Sequence, residues 1–395
     1  MTVPRPAPLL AAGLLLFALG CDDAADGVRA SVSVAEAMSG DTTGYARADR
    51  VRAFSFPADH GPHPAFKAEW WYVTGTLDAA DGTDRQFGVQ FTVFRSALRP
   101  DTAAAAERSS AWATDQLYMA HVGIGDVAGG QFYSFDQVAR GAAGLSGATA
   151  DPVAAFVGAV RLDQAGPLGA GGAVPLRVRG AAEGASFDLT ARPVKPIVFQ
   201  GDRGLSQKGA GPENASYYYA QTRMATTGTV TLPDGEAVPV EGLTWLDREW
   251  STSALSEGQV GWDWFALHLD DGRDLMLYQI RWDDPSRAPL GDGSLVGADG
   301  TKRRLSAADF SLEPLETWES PRGGAYPVRW RARVPSAGLD LTVAAPLDDQ
   351  ELDATVRYWE GTMDVSGTVS GTGFLEMTGY ADGLDGSARP TPSGR

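Results

Sequence analysis

A cluster of charged residues beside tryptophans is the part of the sequence best suited to chemistry. Asp247, Arg248 and Glu249 lie between Trp245 and Trp250, at the end of a long strand-like stretch. Charged groups next to apolar rings at a domain junction are typical of a pocket, because pockets form preferentially between domains. In the alternative interpretation, Arg248 pairs with carboxylates in a structural network that pins the interface. The sequence leaves both interpretations open.

Aromatic residues suggest a second activity, the binding of an apolar molecule. Their rings are suited to lining a cavity for an isoprenoid or another lipid. They are equally suited to filling a hydrophobic core, since aromatic side chains dominate core burial. The candidate ligand-binding residues are Trp70, Trp71, Tyr72, Trp245, Trp262 and Trp264.

Motifs for other kinds of chemistry are missing from the sequence. It contains no Gly-x-Ser-x-Gly elbow of a serine hydrolase and no Gly-rich phosphate-binding run, so a hydrolase is disfavoured. His60 and His63 have the spacing of metal ligands, but the neighbouring prolines and the lack of a nearby cysteine favour an ordered loop. His121 and His268 fall in predicted strands without an identifiable partner. We therefore expect neither a metal nor a cofactor.

Alternating apolar and polar residues predict a chain built almost entirely of strands. In residues 85–94, for example, Phe87, Val89, Phe91 and Val93 share one face. Turn-forming residues separate the strands, and regular short strands favour barrels or sandwiches. The one helix-like stretch, 102–108, is interpreted as a loop insertion. The predicted strands cover residues 67–77, 85–94, 116–124, 131–138, 175–178, 186–191, 217–232, 238–245, 262–269, 274–282, 328–334, 339–344, 355–365 and 373–380.

The two halves of the chain are similar, which predicts two domains. An aromatic strand, a turn and an alternating strand occur at 70–95 and again at 262–281. We interpret this as an internal duplication, although hairpin chemistry also converges by chance. A chain of 395 residues is long enough for two cores. We assign them to residues 51–250 and 251–382, followed by a polar tail at 383–395.

The charge of the chain limits its partners. Its 33 basic and 50 acidic residues give a net charge of −17. No excess of Lys and Arg is available to neutralise phosphates, so we expect no nucleic-acid partner. Electrostatic binding to an anionic membrane surface is disfavoured for the same reason.

The N-terminus predicts export. Residues 1–21 combine a basic start, an apolar stretch too short to span a bilayer, and the lone cysteine, Cys21. The sequence Ala18–Cys21 resembles a bacterial lipobox, so we expect acylation of Cys21, a membrane anchor, and a flexible tether at 22–50. The alternative is an ordinary cleaved signal peptide. Either way, we expect a protein of the cell envelope, on the periplasmic side, or a secreted one.

Four separated motifs resemble the AttH-like family, which also contains the carotenoid 1,2-hydratases (hydroxyneurosporene synthases) and proteins labelled predicted secreted hydrolases. The motifs are EWWYVTG (69–75), WLDREW (245–250), GWDWF (261–265), and YWEG (358–361) with residues 373–380. The resemblance covers residues 54–380. It implies an all-β fold of two lipocalin-like β-barrel domains packed together.

The resemblance also implies a reaction. The hydratases of the family add water to an isolated double bond of an isoprenoid without a cofactor. That reaction needs a buried carboxylic acid to protonate the alkene and aromatic faces to stabilise the carbocation. The catalytic residues carried over are Asp247, Trp250 and Tyr278. Arg248 stands where the hydratases have His and cannot relay a proton. Gln279–Arg281 also lacks the Asp that they carry after the tyrosine.

Two functions therefore remain. In the first, an envelope protein binds a hydrophobic isoprenoid or lipid, beside the ABC-type export system that the resemblance implies. In the second, a cofactor-independent hydratase or related lyase uses Asp247 or Asp263 as its acid. The departures at Arg248 and after Tyr278 favour binding. A cavity carboxyl with a strongly raised pKa would indicate the enzyme, whereas carboxylates paired with Arg248 would indicate the binding protein.

Overall fold

Antiparallel strands form almost all regular structure in the computed structural model, which describes residues 41–100, 110, 112–211, 214–252 and 255–381. The all-β prediction is confirmed. Within these ranges no helix is long and apolar enough to cross a membrane. The predicted signal segment with Cys21, the helix-like stretch 102–108 and the polar tail lie outside the described residues.

The first sheet has the order β4-β3-β2-β1-β13-β12-β9-β8-β7-β6-β5, and β10 and β11 pair with β12. Short 3-10 turns lie at Ala58–His60 and Ala170–Gly172. The strands are β1 (Ala68–Ala79), β2 (Gln86–Ala97), β3 (Gln116–Asp126), β4 (Gln131–Arg140), β5 (Ser146–Ala150), β6 (Val153–Val157), β7 (Val160–Gln164), β8 (Leu176–Ala182), β9 (Ala185–Pro193), β10 (Val198–Phe199), β11 (Leu205–Gln207), β12 (Ala215–Thr231) and β13 (Ala237–Ser251).

The second sheet has the order β17-β16-β15-β14-β23-β22-β20-β19-β18, and β21 pairs with β22. A 3-10 turn lies at Pro335–Ala337. The strands are β14 (Gln259–Leu269), β15 (Asp274–Trp282), β16 (Leu290–Val296), β17 (Lys302–Ser306), β18 (Ser311–Glu319), β19 (Ala325–Val334), β20 (Leu339–Ala344), β21 (Glu351–Leu352), β22 (Tyr358–Gly367) and β23 (Gly371–Met377).

Each sheet curls around its own hydrophobic core, as in a barrel. In the first sheet, residues such as Val122 of β3 and Val178 of β8 meet in one buried cluster, although their strands are far apart in the strand order. In the second, Phe265 of β14 and Trp330 of β19 do the same, with ring centroids 5.4 Å apart. The first sheet ends at Ser251 and the second begins at Gln259. The assigned domain limits themselves stay predictions.

The two sheets have corresponding strand orders around their first strands. In the first, β1 lies between β2 and the last strand, β13. In the second, β14 lies between β15 and the last strand, β23. The hairpins β1–β2 and β14–β15 are the two segments whose sequences are similar. This arrangement is what an internal duplication would produce.

Close backbone approach and ion pairs hold the two sheets against each other. A Cβ atom on Gly88 would lie 3.0 Å from Cβ of Thr362, which shows how closely the two sheets approach at this crossing. The hydroxyls of Thr76 and Thr362 are hydrogen-bonded at 2.6 Å. The Asp274 carboxylate on β15 forms ion pairs with Lys195 and Arg223, each at 2.8 Å. The sheets therefore form a fixed interface in which a cavity can be shaped.

Every predicted strand overlaps an observed one, and the strands missed by sequence are short or polar. These are β5–β7, β10, β11, β16–β18 and β21. Strand β18 is mostly exposed and contains Pro314, so it lacks the apolar alternation from which a strand is predicted. It forms one end of its sheet, where such residues are tolerated.

Candidate functional site

A cavity of about 580 Å³ lies between the two sheets. Strands β1, β2, β3, β12 and β13 line one side, and β14, β15, β22 and β23 line the other. This volume is typical of a pocket for a small organic molecule. The apolar part of the lining includes Trp70, Phe94, Leu117, Met119, Leu255, Trp262, Trp264, Ile280 and Val356.

Strand alternation decides which predicted residues reach the cavity. Successive side chains of a strand point to opposite faces. On β1, Trp70 and Tyr72 face the cavity, while Trp71 lies in the core of the first sheet. On β14, Trp262 and Trp264 face the cavity, while Asp263 between them does not line it. Four of the six predicted ligand-binding residues therefore lie at the cavity.

Asp247 is a buried acid on the cavity wall. It is 3% exposed and lies opposite Tyr72 in the β1–β13 pairing. The hydroxyl of Tyr218 donates to its Oδ2 and the indole N–H of Trp245 donates to its Oδ1, each at 2.6 Å. Burial outweighs these hydrogen bonds and raises the pKa of Asp247 to about 8. The carboxyl therefore keeps its proton at neutral pH.

Tyr218 is itself held in place as a donor. The indole N–H of Trp264, from the second sheet, points at the Tyr218 oxygen at 3.3 Å. Since that oxygen accepts from Trp264, its own proton is directed to Asp247. This chain of hydrogen bonds joins the two sheets at the acid.

Arg248 points away from Asp247, into the end of the first sheet. Its guanidinium pairs with Glu69 at 2.5 Å and lies 3.7 Å from the ring centre of Trp71. Arg95 also pairs with Glu69. Burial alone would raise the pKa of Glu69, but Arg248, with His63 and Arg95, holds it well below its usual range. The network of arginine and carboxylate groups that the sequence allowed is therefore present, and its carboxylate is Glu69.

A cation lies beside Asp247 without pairing to it. Nζ of Lys208 is 3.1 Å from the Glu249 carboxylate and 4.3 Å from the ring centre of Tyr278. Burial lowers the pKa of Lys208, but Glu249 together with Tyr278 and Asp292 outweighs burial, so the pKa is raised. The Tyr278 hydroxyl donates to the Gln207 carbonyl at 2.9 Å. Lys208 and Glu249 thus form an ion pair without net charge at the edge of the site.

The facing wall carries two further acids that sequence reasoning did not assign. Glu360 of β22 and Glu376 of β23 lie directly opposite each other and both line the cavity. Burial raises the pKa of both groups, that of Glu376 to about 8. The signal in the sequence was an acid within an otherwise apolar strand, as in YWEG.

Tyrosines and a histidine surround the facing acids. The Tyr72 hydroxyl donates to Glu360 at 2.5 Å, and Tyr358 also bonds to this carboxyl. Nδ1 of His121 lies 2.6 Å from the Tyr358 hydroxyl. Burial lowers the pKa of His121 to about 4, so the imidazole is neutral.

Of the remaining predicted site residues, only Tyr278 reaches the cavity, and the others have structural surroundings. Trp245 supports Asp247 from outside the cavity lining. Trp250 stacks on His63 at 3.8 Å, away from the cavity. Asp263 pairs with Arg281 at 3.3 Å and accepts Gln279 at 2.8 Å. Tyr278 lines the cavity.

His60 and His63 lie in an ordered, hydrogen-bonded segment. His60 bonds to Tyr219 and to the Gly172 carbonyl, and His63 lies between Asp59 and Glu69. Across the described ranges, no group of three or more His, Cys, Asp or Glu residues is arranged to hold a metal ion.

Taken together, the site combines an uncharged acid, aromatic faces and a second acidic wall in a largely apolar cavity. An uncharged carboxyl can donate a proton, and tryptophan and tyrosine faces can stabilise positive charge. A carboxyl on the opposite wall can hold a water molecule. These are the parts needed for protonation of a double bond and capture of the cation.

Comparison with known proteins supports the fold over most of the chain. A family model described as AttH-like matches residues 47–380. A solved structure from Nitrosomonas europaea, provisionally described as AttH, is 33% identical, with a TM-score of 0.72 over 85% of this chain and 99% of that one. The kievitone hydratase structure from Nectria haematococca shares the fold at 17% identity, with a TM-score of 0.61 over 86% of this chain and 96% of that one.

Two curated relatives carry names of water-adding or water-removing enzymes. Kievitone hydratase of Fusarium solani subsp. phaseoli is 25% identical over 214 residues, which cover 49% of this chain and 57% of that protein. The dehydratase asqC of Emericella nidulans is 22% identical over 182 residues, 44% of this chain and 50% of that protein. The chain thus spans about half the length of the curated relatives it matches.

Proposed function

The chain belongs to the AttH-like family, and from that premise we propose that it is a cofactor-independent hydro-lyase. It would add water across a carbon–carbon double bond of a largely apolar small molecule, or remove water from the corresponding alcohol to form that bond, with isoprenoids as the first class to test. Two relatives are named as a hydratase and a dehydratase. Asp247 is assigned as the acid.

One observation carries this proposal, the uncharged acid in the cavity. Protonation of an alkene requires a carboxyl that still holds its proton at working pH. Burial gives Asp247 that property by raising its pKa to about 8. An ion pair between Arg248 and Asp247 would have lowered that pKa, but Arg248 pairs with Glu69 instead. The arginine at position 248 therefore does not neutralise the acid.

The aromatic walls supply the second requirement. Trp70, Tyr72, Trp262 and Trp264 line the cavity around the acid. Their ring faces attract positive charge, by about 2 kcal/mol per contact when water is excluded. A carbocation formed next to Asp247 would be stabilised by them, while the same surfaces bind the apolar body of the substrate.

The test is incorporation of oxygen from labelled water. The protein without residues 1–21 is incubated with farnesol, geranylgeraniol and squalene in H₂¹⁸O, and products are analysed by mass spectrometry. We expect one labelled oxygen in a product of at least one compound. Asp247→Asn should reduce turnover about 10²- to 10⁴-fold. Asp188→Asn, an ion-paired surface control, should match the wild type.

The binding protein is the second candidate, favoured by the apolar lining of the cavity. Quenching of tryptophan fluorescence by the same three compounds measures binding separately from turnover. Binding of the panel with no labelled product, in wild type and variants alike, would overturn the hydro-lyase proposal. That result would leave an envelope carrier, working beside an ABC-type exporter, as the better account.

We also propose that the protein works outside the cytoplasm, attached through acylated Cys21. The support is the order of a basic start, an apolar stretch and the lone cysteine in residues 1–21.

A further inference from the structure

The two acidic walls of the cavity occupy corresponding positions of the two sheets. The sequence match between residues 70–95 and 262–281 aligns Tyr72 with Trp264. Tyr72 lies opposite Asp247 in the β1–β13 pairing, and Trp264 lies opposite Glu376 in the β14–β23 pairing. Since β13 and β23 are the last strands of their sheets, Glu376 is the counterpart of Asp247.

Glu376 differs from its neighbour Glu360 in access to the cavity. Glu360 is 1% exposed and bonds to the hydroxyls of Tyr72 and Tyr358. Glu376 is only partly buried, and the side chain of Trp262 hydrogen-bonds to it. Glu376 is therefore the acid of this wall that a water molecule can reach.

Trp264 connects the two acidic positions. It is the strand neighbour of Glu376, and its indole N–H reaches the Tyr218 hydroxyl that donates to Asp247. The carboxyls are also close enough that a charge on Asp247 opposes ionisation of Glu376. A small molecule bound against Trp264 would thus lie between them.

We propose that Glu376 is the catalytic base of the reaction and takes the proton from the water molecule that attacks the carbocation formed by proton transfer from Asp247. This inference rests on the proposed hydro-lyase function. It gives the two halves of the chain different tasks at equivalent positions, one donating and one accepting a proton.

Hydration consists of two proton transfers and the formation of one C–O bond. The Asp247 O–H proton forms a C–H bond with one alkene carbon, which leaves a carbocation and the Asp247 carboxylate. The oxygen of water bonds to the cationic carbon and its proton passes to the Glu376 carboxylate. The product is the alkene plus one water. Return of a proton from Glu376 to Asp247 through solvent restores the starting state, and dehydration follows the reverse path.

Several charged and titratable groups face Glu376 and influence its pKa. Glu360, Tyr72 and Tyr358 interact with it from β22 and β1, and Asp247, Glu249 and Lys208 from the first-sheet side. Burial raises the pKa of both Glu376 and Asp247 to about 8. Because each charge opposes the other, the pair holds one proton near that pH. We expect a bell-shaped dependence of kcat/KM on pH, with its maximum near 8.

The experiment compares Glu376→Gln with the wild type in the H₂¹⁸O assay across pH. We expect kcat to fall about 10²- to 10⁴-fold, with KM for the turned-over isoprenoid little changed. The acidic limb of the pH profile should disappear, because it reports ionisation of Glu376. Formate, supplied as an external base, should partly restore turnover to Glu376→Ala. Thermal melts verify that both variants fold.

The outcomes separate the two proposals. If the wild type forms labelled product and Asp247→Asn does not, while Glu376→Gln keeps its rate and both limbs of the profile, Glu376 is not the base. If the wild type forms no labelled product, the hydro-lyase function itself fails. Loss of activity in Glu376→Ala without rescue, together with an unchanged profile shape in Glu376→Gln, would assign Glu376 a merely structural role.

Discussion

Replacement of Asp247 by asparagine should change the stability of the protein in a pH-dependent way that favours the variant increasingly as pH rises. The pKa of this carboxyl is raised from 3.8 to about 8 in the folded state. Between these values the folded protein holds a proton that the unfolded chain releases. Stability contributed by the wild-type residue is therefore present at low pH and lost as pH rises towards 8.

The magnitude follows from the size of this difference. Each pH unit in that window lowers the free energy of unfolding by about 1.4 kcal/mol through this one residue. Between pH 5 and pH 8 the sum is about 4 kcal/mol. Asparagine has no proton to lose, so the difference in unfolding free energy between Asp247→Asn and wild type should grow by this amount in favour of the variant.

Urea unfolding followed by tryptophan fluorescence at pH 5, 6, 7 and 8 measures the difference. Asp188→Asn is the control, because its partner Arg177 lowers the pKa of Asp188, which leaves this residue ionised across the whole range. Its effect on stability should be independent of pH. A pH-independent difference for Asp247→Asn as well would mean that Asp247 is ionised in the folded protein, and the assignment of the acid would be refuted.

Two further predictions concern the structural network and the N-terminus. Arg248→Met should lower the free energy of unfolding by about 3–5 kcal/mol, since it leaves the buried Glu69 with fewer partners. Glu69→Gln in the same chain should recover part of that loss in urea unfolding, and no recovery would contradict the pairing. In a bacterial host, the full chain should incorporate an alkyne-bearing palmitate analogue and sediment with membranes, whereas Cys21→Ser should do neither. Unlabelled wild type would exclude lipidation.

The fold could be predicted from the sequence because its signals are local. Alternation in residues such as Phe87 to Val93 and turn chemistry between strands depend only on neighbours along the chain. The similarity of 70–95 and 262–281 likewise indicated two related sheets. Strands β17 and β18 escaped prediction because polar edge residues carry no alternation.

The residues that line the cavity were also partly predictable. Asp247 stood out because an acid among tryptophans is unusual in a strand, and Trp70, Tyr72, Trp262 and Trp264 stood out as clustered aromatics. The sequence could not separate them from Trp71, Trp250 and Asp263, which lie close by in the chain. Strand geometry made that separation, since neighbouring residues point to opposite faces.

Only the tertiary structure decided which acids are charged. The sequence places Arg248 next to Asp247, but the strand turns the two side chains apart, so the arginine pairs with Glu69. Glu376 meets Asp247 across a cavity between strands that are distant in the chain. The charge of a carboxyl depends on its burial and on the groups packed around it, and those are set by contacts between the sheets rather than by sequence neighbours.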